Sequence, residues 1–203
     1  MSDPTPPIPV RCLLGASRAI LRVERLALMV LMGSITLLIL LNVATRYTGM
    51  PIYWVDEAAV YLVVWLCFIG ASAMTRLRLD FAVTLLTDAL GEPTARRVKA
   101  VATACVLAFG VSMVAMCWLW LDPVGIATYG FDAKAYAAES FNFLYTERTQ
   151  TLNWPTWVVQ LVIPLFSLSF TIHAAANLVE DMGLTPRARI EGFDLGNAEE
   201  AVN

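Results

Sequence analysis

Long uncharged stretches alternate with short charged segments along this chain, and this pattern sets its fold class. A helix needs about 20 predominantly apolar residues to cross the hydrocarbon core of a bilayer. Four stretches approach that length without a charged side chain, at about residues 26–45, 58–75, 100–121 and 154–179. The pattern therefore predicts an all-α membrane protein, with a domain of four transmembrane helices over residues 26–182.

The segments outside the spans have patterns of their own. Residues 1–9 are rich in proline, which predicts a disordered N-terminus. In residues 10–25 apolar side chains share one helical face and four arginines share the other. This division predicts an interfacial amphipathic helix, with its arginines toward lipid phosphates on the cytoplasmic leaflet. The alternative is a simple continuation of the first span. In residues 80–90 apolar and polar side chains are divided between two faces in a similar way, which predicts a second surface segment.

The longest connection between spans, residues 122–153, carries acidic and aromatic side chains. Within it, residues 136–144 predict a short helix. A connection of this length usually has a function or is partly disordered, and both alternatives stay open at this point. The polar and acidic tail, residues 183–203, has no apolar periodicity and is predicted to be disordered.

Composition and charge support this topology. Hydrophobic residues make up 58% of the chain and charged residues 15%, whereas a soluble domain contains about 25% charged residues. Eleven of the 14 basic residues precede the first span, separate the second from the third, or follow the fourth. Because cytoplasmic loops retain positive charge, both termini are expected in the cytoplasm, with loops 46–57 and 122–153 on the opposite side. The first span is interpreted as an uncleaved signal anchor.

Small side chains indicate where the helices pack. They recur at four-residue intervals in the third and fourth spans, at Ala100, Ala104, Ala108 and Ser112 and at Ser167, Thr171 and Ala175. Such rows let membrane helices approach closely, so they predict contacts within the chain or with a partner. Pro164 lies inside the fourth span and is expected to bend it.

Polar residues near the membrane are functional candidates, and this chain has few of them. Asn42 and Arg46 are one helical turn apart at the end of the first span, and Asp56 and Glu57 open the second span after a short loop. We expect Arg46 to pair with Asp56 or Glu57. Carboxylates at this position also complement the helix dipole. The four residues are interpreted either as structural or as contact points for a partner subunit.

The residues that catalysis or cofactor binding would require are missing. His173 is the single histidine, and one imidazole does not supply a pair of haem or metal ligands. The four cysteines have no CxxC spacing and are interpreted as packing residues. No Gly-rich phosphate loop, HExxH or GxSxG motif occurs, and no acidic residue interrupts the uncharged stretches to form a proton relay. The sequence therefore predicts no enzyme, no cofactor and no metal site.

A series of short motifs, in a fixed order over residues 20–180, indicates a family. The candidates for structural or partner-interface roles are Asn42, Arg46, Trp54, Asp56, Glu57, Trp65, Gly70, Arg76, Pro155 and Trp157, and the motifs also contain Phe68, Ala71 and Pro164. Jointly they resemble the small membrane subunit of tripartite ATP-independent periplasmic (TRAP) transporters, the DctQ-like family. That family has N-V-x-R-Y, W-x-E-E and W-x-x-F-x-G-A motifs, then an arginine, with proline and tryptophan opening its last helix.

Allowing for one extra residue in the first motif, two features of the sequence depart from this family pattern. Asp80 stands where the family often has a histidine shortly after the arginine, and loop 122–153 is longer than in compact members. The resemblance therefore leaves the role of Asp80 open, as it does that of His173, and the longer loop suggests an added contact surface.

The resemblance implies a function. The small subunit would scaffold a large permease subunit, which carries the sodium and substrate sites, in the bacterial inner membrane. A periplasmic substrate-binding protein would deliver an organic acid for sodium-coupled uptake. The implied partners are these two proteins and membrane lipid, with no nucleic acid.

Two other classes of protein remain as alternatives. A membrane anchor subunit of a redox complex, binding quinone or haem, would need axial ligands that His173 alone does not supply. A small channel or exporter would need a polar lumen, and the four spans provide few polar side chains.

Overall fold

The structure, a computed structural model, describes residues 7–78 and 91–186. Within these residues the chain forms seven helices: α1 (Ile8–Tyr47), α2 (Trp54–Leu77), α3 (Glu92–Leu121), α4 (Pro123–Thr128), α5 (Ala133–Ser140), α6 (Thr156–Gln160) and α7 (Val162–Asp181). Four helical segments are long and apolar enough to cross a membrane: α1, α2, α3 with α4, and α6 with α7. The predicted all-α fold with four transmembrane helices is confirmed.

Helix α1 joins the predicted surface segment 10–25 to the first span without interruption. With a rise of about 1.5 Å per residue, its length is about 60 Å, twice the thickness of the hydrocarbon core. Leu21, on the apolar face of segment 10–25, is buried within the protein, and so are Ser17 and Glu24. Part of that face therefore packs against the protein. The uninterrupted helix matches the alternative, a continuation of the first span, and the position of residues 10–25 relative to lipid stays a prediction.

Local sequence explains where α2 begins and ends and where α3 begins. Asp56 and Glu57 lie in the first turn of α2, where carboxylates complement the positive end of the helix dipole. Helix α2 ends because Arg78 adopts a left-handed conformation with φ 56°. Helix α3 follows Gly91 and has Pro93 in its first turn, where the missing amide hydrogen of proline costs no helical bond.

Helix α7 is the centre of the bundle, since it packs against α1, α2 and α3, while α1 also packs against α2. Helices α3 and α7 approach each other closely at Gly110. A Cβ atom added at Gly110 would lie 2.6 Å from Thr171 Oγ1 and 3.0 Å from Phe170 Cδ1. The absence of a side chain at Gly110 thus permits the contact between α3 and α7. Gly110 was not part of the row of small residues that the sequence predicted as a packing surface. The row members Ala104 and Ala108 are exposed on α3.

The last membrane segment is interrupted at Leu161, between α6 and α7. Pro164 lies three residues later and has no amide hydrogen to donate to the carbonyl oxygen of Gln160, so the regular helical pattern fails at this point. The interruption agrees with the bend that the sequence predicts. Trp65 of α2 packs beside it and donates from Nε1 to the carbonyl oxygen of Val159 at 2.8 Å.

Three predicted segments lie wholly or mostly outside the described residues. They are the proline-rich N-terminus at 1–9, of which residues 7–9 are described, the surface segment at 80–90 with Asp80, and the tail at 183–203, of which residues 183–186 are described. Residues 8 and 9 belong to α1, so the predicted disorder does not extend to them; the rest of these predictions stay predictions.

Candidate functional site: polar clusters that fix the helices

Polar side chains gather at both ends of the bundle. We call the end at which α1 leads into α2 the Arg46 end, and the end at which α2 and α7 finish the Arg76 end. At the Arg46 end, the Arg46 Nη2 atom lies 2.8 Å from Asp56 Oδ2. Asn42 donates to the other oxygen of Asp56 and accepts from Arg46 Nε at 2.9 Å. The predicted pair between Arg46 and Asp56 is confirmed, and both side chains are more than half exposed.

Glu57, the other predicted partner of Arg46, binds a different element. Its carboxylate accepts backbone hydrogen bonds from Gln150 at 2.9 Å, Thr151 at 2.7 Å and Leu152 at 2.9 Å. The Thr151 hydroxyl and the Tyr61 hydroxyl also donate to it. One side chain therefore ties the end of the long connection to the first turn of α2.

The long connection is folded, and α4 and α5 lie within it. The predicted helix at 136–144 exists but is placed earlier in the chain, at Ala133–Ser140. Asp122 organises this region, because its carboxylate accepts from the Gly125 amide at 2.9 Å and from the Tyr136 hydroxyl at 2.8 Å. The Tyr145 hydroxyl donates to the carbonyl oxygen of Leu121, the last residue of α3. These bonds hold the connection against the end of α3.

A line of aromatic rings continues from this connection to the last membrane segment. Ring centroids of Tyr129 and Tyr136 are 5.8 Å apart, those of Tyr136 and Tyr145 6.1 Å, and those of Tyr145 and Trp157 6.1 Å. Burial raises the pKa of the Tyr145 phenol above its ordinary value. Three phenylalanines of the same connection are instead exposed: Phe131, Phe141 and Phe143.

Three further motif residues are Trp54 and Pro155, near the Arg46 end, and Gly70, in the second half of α2. Trp54 opens α2 and is partly exposed. Pro155 precedes α6 and forms an isolated β-bridge with Arg148. Gly70 lies in α2, where an added Cβ would be 3.8 Å from Leu28 Cδ2, an ordinary contact. Packing within this chain therefore does not require glycine at position 70.

The strongest polar contact is at the Arg76 end, and it joins α2 to α7. Arg76 donates from Nη2 to Glu180 Oε1 at 2.7 Å and from Nη1 to Glu180 Oε2 at 3.2 Å. Arg76 Nη1 also donates to Asn177 Oδ1 at 2.6 Å, and Asn177 Nδ2 donates to the carbonyl oxygen of Thr75 at 2.7 Å. Arg76 and Glu180 are almost completely buried, and Arg76 Nε is buried without a hydrogen-bond partner.

A second ion pair extends this cluster to α3. Arg78 Nη1 lies 2.6 Å from Asp181 Oδ1, and its Nη2 donates to the carbonyl oxygen of Asn177 at 2.8 Å. Thr103 of α3 donates to Asp181 Oδ2 at 2.8 Å. Two arginines thus face two carboxylates where α2, α3 and α7 meet, and the charges of the four side chains balance.

The single histidine lies in a third polar cluster, between α1 and α7. His173 is fully buried, with Nδ1 2.8 Å from Ser17 Oγ and Nε2 3.1 Å from Glu24 Oε2. Because both ring nitrogens have protein partners, the imidazole is not arranged as an axial ligand for haem. In the ranges 7–78 and 91–186, no three histidine, cysteine or carboxylate side chains are grouped so as to hold a metal ion.

Sequence reasoning singled out Arg76 and His173 but not the other members of their polar clusters. The missed residues are Ser17, Glu24, Arg78, Thr103, Asn177, Glu180 and Asp181. A signal for most of them was present. On α1, Ser17 and Glu24 are two helical turns apart, as are His173 and Glu180 on α7 with Asn177 between them. Polar residues at intervals of three and four along a membrane segment share one face of the helix.

The comparisons with known proteins agree with this architecture. Residues 35–183 match the family described as tripartite ATP-independent periplasmic transporters, DctQ component. The match covers most of the chain, so the chain belongs to the DctQ family of small permease components of TRAP transporters. The family resemblance that the sequence motifs predict is confirmed.

One individual relative is similar over a shorter region. This chain is 28% identical over 102 residues to the C4-dicarboxylate TRAP transporter small permease protein DctQ of Vibrio cholerae serotype O1 (strain ATCC 39315 / El Tor Inaba N16961). The aligned region covers 50% of this chain and 44% of that relative, so it spans less than half the length of the relative. No solved structure matches this chain.

Proposed function

We propose that this chain is a non-catalytic scaffold subunit, which braces a large TRAP permease subunit in the bacterial inner membrane. The large subunit would carry out sodium-coupled uptake of an organic acid delivered by a periplasmic binding protein. The main observation in support is that the buried polar side chains Arg76, Glu180 and His173 form hydrogen bonds and ion pairs with other helices of this chain. Polar groups used to fix helices support a rigid brace better than a solute pathway.

Helix α3 supplies a surface for the large subunit. It packs mainly against α7, and its remaining faces carry exposed apolar side chains and a row of small ones: Val101, Ala104, Ala108, Phe109, Ser112, Met116 and Leu119. Small residues let a second membrane helix approach closely. We assign this face to the large subunit, which would explain why the predicted row of small residues is exposed within this chain.

The folded connection 122–153 is proposed to contact the large subunit or the binding protein. Its exposed aromatics Phe131, Phe141 and Phe143 are of the type enriched at the centres of protein interfaces. Replacing residues 130–145 with a Gly-Ser linker should reduce both co-purification with the large subunit and transport driven by the binding protein. If both stay at the wild-type level, the connection is an insertion without a partner.

The distribution of basic residues supports one orientation of the chain in the membrane. We propose that both termini are cytoplasmic and that the connection 122–153 is periplasmic, because Arg11, Arg18 and Arg22 lie exposed near the start of α1. These arginines would face lipid phosphates, at about 1 kcal/mol each near an anionic surface. Spin labels at Arg18 and at Leu14, on the apolar face, should report different depths. Equal and fully aqueous accessibility would contradict a surface position for residues 10–25.

Reconstitution tests the scaffold function directly. Liposomes containing this chain and the large subunit, supplied with the binding protein and a sodium gradient, should take up the organic acid. Liposomes with this chain alone should show no uptake, and those with the large subunit alone should show strongly reduced uptake. Substantial uptake by this chain alone would refute the scaffold function. An absorption spectrum of the purified chain tests the redox-anchor alternative, which predicts a haem or quinone band.

A further inference from the structure

A carboxyl group and an imidazole are buried together between α1 and α7. His173 is fully enclosed, and the Glu24 side chain is only 8% exposed. The hydrogen bonds of the ring, from Nδ1 to Ser17 Oγ and from Nε2 to Glu24 Oε2, join two helices that are far apart in the sequence. From this geometry we propose that Glu24 and His173 form a proton-binding site, which holds one proton between the two side chains and thereby fixes α1 to α7.

The number of protons follows from the cost of burying charge. With a neutral imidazole and an ionised Glu24, the pair has a net negative charge. With an imidazolium and a protonated Glu24, it has a net positive charge. Only the state with one additional proton is neutral, either as imidazolium and carboxylate or as imidazole and carboxylic acid. Because an uncompensated charge is costly in a medium of low dielectric constant, burial selects the one-proton state.

The charged neighbours do not replace this proton. Next to Glu24 on α1 is Arg25, whose side chain is exposed. On α7 and α2, Arg76, Arg78, Glu180 and Asp181 form ion pairs with one another. On α3 no charged residue occurs between Lys99 and Asp122. The compensation for Glu24 is therefore supplied by the proton that it shares with His173.

Ser17 is a positioning residue for this site. In the imidazolium state both ring nitrogens carry hydrogen, so Nδ1 donates to Ser17 Oγ and Nε2 donates to Glu24. If the proton moves from Nε2 to Glu24 Oε2, Nδ1 keeps its hydrogen and still donates to Ser17, while the carboxylic acid donates to Nε2. Ser17 Oγ thus accepts in both one-proton states. Because Ser17 keeps the hydrogen on Nδ1, the other ring nitrogen, Nε2, is the atom that exchanges the proton with Glu24.

Spectroscopy on the full chain in lipid nanodiscs tests the proton count. Since the chain has one histidine, ¹⁵N-histidine labelling reports the charge and tautomer of His173 alone. Infrared difference spectra between wild type and Glu24→Gln report whether Glu24 is protonated. We expect one proton on the pair, seen as a charged ring with an ionised Glu24 or as a neutral ring with a protonated Glu24. A neutral ring with an ionised Glu24, or a charged ring with a protonated one, would overturn the proposal.

Variants separate proton binding from packing. Glu24→Gln and His173→Gln should each lower the midpoint of thermal unfolding, and the double variant should lose less than the sum of the two. The advantage of wild type over the double variant should change with pH, because only the one-proton state of the buried pair is neutral. Ser17→Ala should remove the hydrogen bond at Nδ1 and shift the ¹⁵N signal of that nitrogen, while the pair keeps its proton. A pH-independent advantage would show that the contact is packing only and would overturn the proton site.

Discussion

Arg76 on α2 and Glu180 on α7 form a two-point ion pair, although 104 positions separate them in the sequence. Both side chains are only 2% exposed. Removing two charges from water is costly, and their mutual attraction offsets that cost only while both are present. This end of the bundle should therefore respond strongly to the loss of one partner and weakly to the joint replacement of both.

The first prediction concerns this pair. Arg76→Met leaves Glu180 buried with Arg78 as its remaining cationic partner, at 3.3 Å. We expect a loss of about 3–5 kcal/mol of stability, the usual cost of breaking a buried pair. The double variant Arg76→Met/Glu180→Leu should recover much of this loss, because no charge is then left without a partner. Thermal unfolding in detergent measures both, and additive losses would contradict the prediction.

The exposed ion pair between Arg46 and Asp56, at the other end of the bundle, is a control for the buried pair. The Arg46 and Asp56 side chains are 62% and 52% exposed, so water screens their attraction and the pair is worth about 0.2–1 kcal/mol. Arg46→Ala should thus change the unfolding temperature little. If these residues also contact a partner subunit, the same variant should reduce co-purification with the large permease subunit. Unchanged co-purification would restrict the role of Arg46 to the loop between α1 and α2.

Gly110 gives a packing prediction. In Gly110→Ala the new methyl group would meet Thr171 Oγ1, which is itself bonded to the carbonyl oxygen of Ser167 at 2.6 Å. Overpacking of this kind costs about 1–3 kcal/mol. Adding Thr171→Ala should restore part of the loss. Gly33→Ala in α1 is the control, because nothing lies within 4 Å of its added Cβ and alanine is the better helix former. Equal effects at the two glycines would contradict close packing at Gly110.

Glu57 gives a prediction about the folded connection. Glu57→Gln removes the ionised acceptor of three successive backbone amides, at residues 150–152. Bonds to a charged acceptor are stronger than those between neutral groups, so hydrogen exchange at these amides should become faster. The control Asp56→Asn changes the neighbouring carboxylate, which binds Arg46 instead. Unchanged exchange in Glu57→Gln would show that other contacts hold the connection.

Contacts across short loops were predictable from the sequence, and those across the bundle were not. Arg46 and Asp56 are ten residues apart with one turn between them. The short loop allows the two side chains few relative positions, and the predicted ion pair forms. The uncharged stretches similarly located the four spans. The partner of Arg76 lies on a helix whose rotation about its axis the sequence leaves open, and that rotation decides whether Glu180 faces α2 or lipid.

Glu24 shows a second limit of sequence reasoning. The first uncharged stretch begins at residue 26, which places Glu24 before the span and leaves no acidic residue in it. In the structure α1 continues through this position, and Glu24 is buried against α7. Hydropathy identifies the segment that lipid can accept, whereas a helix that packs against a protein neighbour can bury a charged residue beyond that segment.

The central place of α7 has a consequence for the order of assembly in the membrane. Because α7 follows the other three membrane helices in the chain, α1 and α2 are synthesised before His173 and Glu180, the α7 residues that bond to Glu24 and Arg76. Until α7 arrives, both charges have to be hydrated or held by another protein. Insertion of the last helix then becomes the step that closes the bundle, and a nascent chain stalled before residue 162 would expose the sites at which a membrane chaperone or a quality-control protease acts.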